Sequence, residues 1–206
     1  MARYLNTNNS INEYLINVDK VFIEIIGMCK SVNIKLADNY FVSLVEHIVG
    51  QQLSNKVTDV ICGRLHTLCN RKVEPKIILD ISEHELRNIG VSYSKIGYLK
   101  NLSSAIESKK IVLENINNLD NKDIITILTS VKGIGQWTAE MFLIFALGRE
   151  DVFSLNDTGL QKAILNSYKI DGKLTKQRLI QISEKWQPYR TYASLYLWDL
   201  LNKGIY

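Results

Sequence analysis

Residues Ile124 to Leu147 read IITILTSVKGIGQWTAEMFLIFAL. Ile125, Leu128, Val131 and Ile134 recur at the spacing of one helix face, so a short helix is predicted to run into Val131-Lys132-Gly133-Ile134-Gly135, with a second helix beyond it. The turn of this hairpin covers residues 130–135. Gly133 and Gly135 stand where two helices must join tightly, and without Cβ atoms they leave backbone N–H groups open at a helix start. Such a start attracts anions, because the unpaired amides and the helix dipole both favour negative charge. A phosphate-type anion is the expected ligand, held by the backbone of Gly133 and Gly135, with Lys132 and Thr138 as further donors.

Working outward, apolar residues recur with helical periodicity almost everywhere. Phe41, Leu44, Val45, Ile48 and Val49 form one stripe, and Val57, Val60, Ile61, Leu65 and Leu68 form the next. Ser82 with Glu85 spells a capping box, Gly90 closes that short helix, and Ile96, Leu99, Leu102 and Ile106 open another run. Pro75, the Asn-rich stretch 115–121, Gly148, Asp171-Gly172 and Pro188 mark the breaks. The expected class is all-α, with roughly ten helices joined by connections of ordinary length and no convincing alternating strand.

The chain has 206 residues, 46% of them hydrophobic and 22% charged, enough for one well-buried domain or two small lobes sharing a core. A net charge of +4 leans toward a polyanionic partner without the strongly basic signature of a dedicated nucleic-acid binder. The three cysteines, Cys29, Cys62 and Cys69, lack paired short spacings, so a reducing cytoplasm is expected rather than a disulfide framework. The polar start has no apolar signal-like segment, and no run reaches membrane-spanning length. His47, His66 and His84 lack convergent partners at metal-ligand spacing, so no catalytic transition metal is expected.

Four segments together resemble the helix-hairpin-helix DNA glycosylase superfamily, and within it the 3-methyladenine DNA glycosylase II type. They are FVSLVEHIVGQQLSNKV at 41–57, LRNIGVSYSKIGYL at 86–99, the hairpin followed by VFSLNDTGLQKA at 152–163, and WQPYRTYASLYLW at 186–198. The resemblance implies a two-lobed all-α fold with the active-site cleft between lobes: a helical lobe over about 35–147 carrying the hairpin, and a second lobe made of 1–34 and 148–206. It implies damaged double-stranded DNA as partner, a monomer, and no iron–sulfur cluster, which would need four carboxy-terminal cysteines. It also implies a monovalent cation, Na or K, on the main-chain carbonyls of Thr129, Val131 and Ile134, and otherwise no cofactor. The hairpin would position the duplex by its phosphates without reading sequence.

Asp157 matches the essential aspartate of that family. Hydrolysis of an N-glycosidic bond builds oxocarbenium-like positive charge on the sugar, which a preorganised carboxylate near C1′ stabilises. One carboxylate suffices for a cationic alkylated purine, whose departure needs no strong acid. The simpler role for Asp157 is to cap the helix that starts near Thr158. Trp137 stands where bifunctional glycosylase/lyases carry a lysine that forms a Schiff base, so no lyase activity is expected. Trp137, Met141 and Trp198 are the expected base pocket, whereas Trp186 reads as core. Gln52 is assigned as the plug that fills the hole left by an everted nucleotide, and Gln51 as a glutamine bonding backbone between helices. Val91, Ser92 and Tyr93 fall on the loop that wedges the opposite strand in relatives; the resemblance does not choose among the three, and Val91 is taken as the candidate. A glycosylase for uracil, hypoxanthine or an oxidised purine, or a non-catalytic DNA-binding module, are the competing readings.

Overall fold

The computed structural model describes residues 3–29 and 31–206. Twelve α-helices account for most of these residues, and the chain divides into two compact units, one running to Leu36 and resuming at Gly148–Tyr206, the other Ala37–Leu147. Among the described residues no helix is long and apolar enough to cross a membrane.

The first unit contains the strands β1 (Tyr4–Asn6) and β2 (Asn33–Lys35), paired antiparallel with Leu5 opposite Ile34. They correct the strand-free expectation; at three residues each they are too short to show alternation in the sequence. Between them lie α1 (Asn9–Val18), capped by the Asn8 side chain, and α2 (Val21–Cys29). After Gly148 come α10 (Thr158–Ser167), α11 (Lys176–Glu184) and α12 (Arg190–Asn202). Trp186 is fully buried as expected, edge-on to Phe22 and Phe153, and its indole donates to Asp19 Oδ2 at 3.3 Å. That bond satisfies the one polar atom of a large apolar side chain.

The second unit runs through α3 (Tyr40–Gly50), α4 (Asn55–Leu68), α5 (Pro75–Asp80), α6 (Glu83–Asn88), α7 (Tyr93–Glu107), α8 (Asn121–Thr129) and α9 (Gln136–Phe142). Leu143–Leu147 continues α9 as a π-helix. Local signals explain most boundaries. Asn39 caps α3, Pro75 opens α5 at its first turn, the Ser82–Glu85 capping box opens α6, and Asp120 caps α8. Gly90 follows α6 with φ +104°, the left-handed turn that glycine tolerates.

The stripe expected on α3 is buried throughout. The stripe expected on α4 is not: Val57 and Val60 are 44% and 48% exposed. Ile61, Cys62, Leu65 and Cys69 form the buried face instead. The cysteines act there as small hydrophobes. All three cysteines are unpaired and buried, and burial pushes the Cys29 and Cys62 thiols up to about 12, which leaves them inert.

Candidate active site

In the first unit, Asp157 is the N-cap of α10 and is 9% exposed. Its Oδ1 accepts the Leu160 amide at 2.7 Å and the Trp198 indole Nε1–H at 3.2 Å. Capping and chemistry are therefore compatible: the two donors fix one carboxylate oxygen at the positive end of the α10 dipole. The next helical glycine, Gly159, keeps this arrangement open. A Cβ built there would lie 3.1 Å from Asp157 Oδ1 and 3.4 Å from Leu201 Cδ1, so any larger residue presses on the carboxylate. The sequence reading missed Gly159, which looks like an ordinary residue of a helix start.

The segment that leads into Asp157 is pinned by the start of α12. Thr191, fully buried, donates from Oγ1 to the Arg149 carbonyl at 2.6 Å and accepts from the Val152 amide at 3.0 Å. Beside it the Arg190 guanidinium pairs with both oxygens of Asp151 at 2.6 and 3.0 Å, a forked geometry that fixes direction as well as distance. One helix thus supplies Arg190 and Thr191 to hold the approach and Trp198 to hold the acid itself. The expected pocket residue Trp198 is half-buried and is a partner of the acid as well as an aromatic surface.

In the second unit, the hairpin forms between α8 and α9. Its two glycines do different work. Gly133 has φ +110°, and a Cβ on it would collide with the Tyr98 ring at 2.2 Å. Gly135 caps α9 with φ −89°, and nothing lies within 4 Å of where its Cβ would be. The open face is therefore at Gly135, beside the exposed Lys132 and Gln136, where a helix N-terminus presents amides without obstruction.

Two expected contacts require correction. The Thr138 side chain is 2% exposed and its hydroxyl accepts the Gln51 amide at 3.0 Å, so it faces inward and is not a phosphate donor. Val91 is 1% exposed, and a side chain packed in a core cannot wedge into a duplex without opening that core. Two residues on, Tyr93 is 69% exposed with the Arg87 guanidinium 4.7 Å over its ring. Gln51 meets its expectation, donating to the Gly133 carbonyl at 3.0 Å across the unit. Gln52 lies exposed at the loop tip with φ +56°. Trp137 is half-buried in the first turn of α9, and Met141, one turn on, is 3% exposed.

Among the described residues no three His, Cys, Asp or Glu side chains converge on one point. The carbonyls of Thr129, Val131 and Ile134 offer a different donor set, neutral and all oxygen. Thr129 ends α8, and the Val131 carbonyl accepts the Ile134 amide at 3.0 Å, keeping a second lone pair. Hard cations take such oxygens, and the negative end of the α8 dipole adds to the fit.

A crystal structure of a DNA-3-methyladenine glycosidase from Bacillus halodurans superposes with a TM-score of 0.80 at 36% identity, covering 96% of this chain and 92% of that one. The Schizosaccharomyces pombe 3-methyladenine DNA glycosylase in complex with abasic DNA superposes with a TM-score of 0.87 at 28% identity, covering 96% and 99%. A longer Bacillus subtilis relative is 36% identical over 125 residues, and there the chain spans only 44% of the relative's length. Residues 45–188 match the family described as HhH-GPD superfamily base excision DNA repair protein, and the chain belongs to that family.

Proposed function

We propose that this chain is a monofunctional DNA glycosylase that releases alkylated purines of the 3-methyladenine kind from duplex DNA, the first step of base excision repair. The observation that carries the reading is Asp157: a buried carboxylate, held through one oxygen by a backbone amide and an indole at the N-terminus of α10. Its family membership and the DNA-3-methyladenine glycosylase names of its relatives support the substrate class.

The roles follow from the chemistry. Backbone amides at Gly133 and Gly135, with Lys132, grip the phosphates on one side of the lesion without reading sequence. The damaged nucleotide swings out of the stack, Gln52 fills the hole, and Tyr93 takes the opposite-strand role in place of Val91. Trp137, Met141 and Trp198 supply aromatic and apolar surface to an electron-poor, cationic base, which π-faces attract. As the glycosidic bond lengthens, positive charge grows on the sugar and the Asp157 carboxylate stabilises it; the same group orients the attacking water. The alkylated purine leaves as a neutral base, so no second carboxyl is required. Trp137 offers no amine, hence the product is an abasic site rather than a nicked strand. A Na or K ion on the Thr129, Val131 and Ile134 carbonyls would stiffen the hairpin and requires no part in bond cleavage. In this reading the protein works as a monomer in the cytoplasm.

Release of 3-methyladenine from alkylated duplex DNA by the wild type and by Asp157→Asn tests the proposal. Asparagine keeps the acceptor that caps α10 while removing the charge. The wild type should release the base and the variant should lose at least ~100-fold in single-turnover rate, the scale of a lost electrostatic stabiliser. Equal rates would remove Asp157 from the chemistry. Release of neutral bases alone would move the substrate class to another lesion.

A further inference from the structure

Three side chains along one face of α7 reach two separate functional loops of the second unit. Lys95 Nζ donates to the Val49 carbonyl at 2.8 Å and the Gln51 carbonyl at 2.7 Å. Three residues on, Tyr98 is the ring that lies against Gly133. Three more on, Asn101 Nδ2 donates to the Lys132 carbonyl at 3.2 Å. Spacings of three keep these residues on neighbouring positions of one helix surface. Gln51 closes the circuit, with its carbonyl on Lys95 and its amide on Gly133 O and Thr138 Oγ1.

The circuit has a physical purpose at Gln52. A non-glycine residue at φ +56° is in a sparsely populated conformation, and it persists only where its neighbours over-determine it. Both carbonyls that Lys95 holds lie within three residues of Gln52. Burial pulls the Lys95 ammonium below the ordinary lysine range, a cost that two carbonyl acceptors offset. A surface-bound lysine would need no such arrangement, and a freely moving loop would have to be ordered at each encounter with DNA.

We propose that Lys95, Gln51 and Asn101 are positioning residues that lock the Gln52 loop to the strand-gripping hairpin as one rigid part, so that the grip on the phosphates sets where Gln52 enters the stack. This rests on the glycosylase reading above. It separates two contributions to binding: undamaged duplex engages the hairpin alone, while an extrahelical or missing nucleotide also engages the plug.

The test is a double-mutant cycle in the full chain with Lys95→Met and Gln52→Ala. Its readouts are single-turnover release of 3-methyladenine and affinity for duplexes with and without an abasic site. Lys95→Met should slow release and weaken abasic-site binding by ~10-fold, with affinity for undamaged duplex within ~2-fold; added to Gln52→Ala it should cost less than ~2-fold more, as coupled residues do. Lys95→Arg, which keeps a cation able to bridge both carbonyls, should recover most of the loss. Multiplicative losses in the double variant, or equal weakening on undamaged DNA, would overturn the coupling. Thermal unfolding monitors each variant, and Asn101→Leu runs through the same cycle if Lys95→Met does not fold. Should the wild type release no 3-methyladenine, the glycosylase reading fails, while the abasic-site cycle still decides the coupling.

Discussion

The indole of Trp198 and the carboxylate of Asp157, 41 residues apart in the chain, are joined by a 3.2 Å hydrogen bond from Nε1 to Oδ1. That bond makes Trp198 part of the acid's environment, and it separates two roles an aromatic could have in this place. Trp198→Phe keeps a flat, smaller π-surface and removes the donor. A hydrogen bond to a charged group is worth ~1.5–3 kcal/mol, so the single-turnover rate should fall by ~10–100-fold. Affinity for abasic-site DNA should change little, because no base is present to touch the ring. A variant as fast as the wild type would leave Trp198 with pocket packing alone.

The two hairpin glycines should separate stability from DNA binding. Gly133→Ala forces an L-residue into φ +110° and drives a methyl into Tyr98, so it should destabilise the protein by more than ~2 kcal/mol. Gly135→Ala meets open space at an ordinary φ, and unfolding in urea should move by no more than ~1 kcal/mol. Its methyl would stand where a phosphate must approach, so DNA affinity should drop ~10-fold or more, as a lost charge-assisted backbone contact implies. Equal effects of both variants on stability would show that the glycines are not divided in this way.

The sequence carries some of these features and not others. The capping role of Asp157 was legible because an aspartate just before the helix that starts at Thr158 is a local signal, carried by near neighbours in the chain. The capping box at Ser82 and Glu85 was legible because its partners are three residues apart. Val57 and Val60 misled because periodicity says which residues share a face and not how far a neighbour covers it; both are left about half exposed. Thr191 carried no signal, since it matters through atoms 42 residues away, and Gly159 carried none because its crowding against Asp157 Oδ1 and Leu201 arises only in the folded chain. Thr138 misled for the same reason, its hydroxyl being taken by Gln51 from 87 residues away.

The loop after α6 and the first residue of α7 give a sharp contrast between two residues two positions apart. Val91→Ala removes buried methyl groups and should cost ~1–3 kcal/mol of stability with little specific effect on DNA. Tyr93→Ala removes an exposed ring, so stability should stay within ~0.5 kcal/mol. If Tyr93 stacks on the opposite strand, its loss should weaken binding to abasic-site duplex by ~5–100-fold, the range for one aromatic–base stack. The reverse pattern, with DNA binding sensitive to Val91 and indifferent to Tyr93, would require the loop to turn inside out on binding.

His47 should make the second unit sensitive to mild acid. Its Nδ1 contacts the Ser43 carbonyl at 2.6 Å, its ring stacks on Phe145, and burial lowers its pKa below the ordinary imidazole value against the smaller opposing pulls of Ser43 and Glu46. With the folded value depressed, the unfolded chain binds the extra proton first. Stability is therefore full above the unfolded imidazole pKa of about 6.5 and declines as pH falls through it, by up to ~1.4 kcal/mol per pH unit for this one group. Urea unfolding at pH 7.5 and 5.5 checks this against His47→Gln. The variant should start less stable at pH 7.5 because the stacked ring is gone, yet lose less between the two conditions. An unchanged difference would mean that the acid sensitivity arises from other groups, and that the His47 ring accepts its proton as readily folded as unfolded.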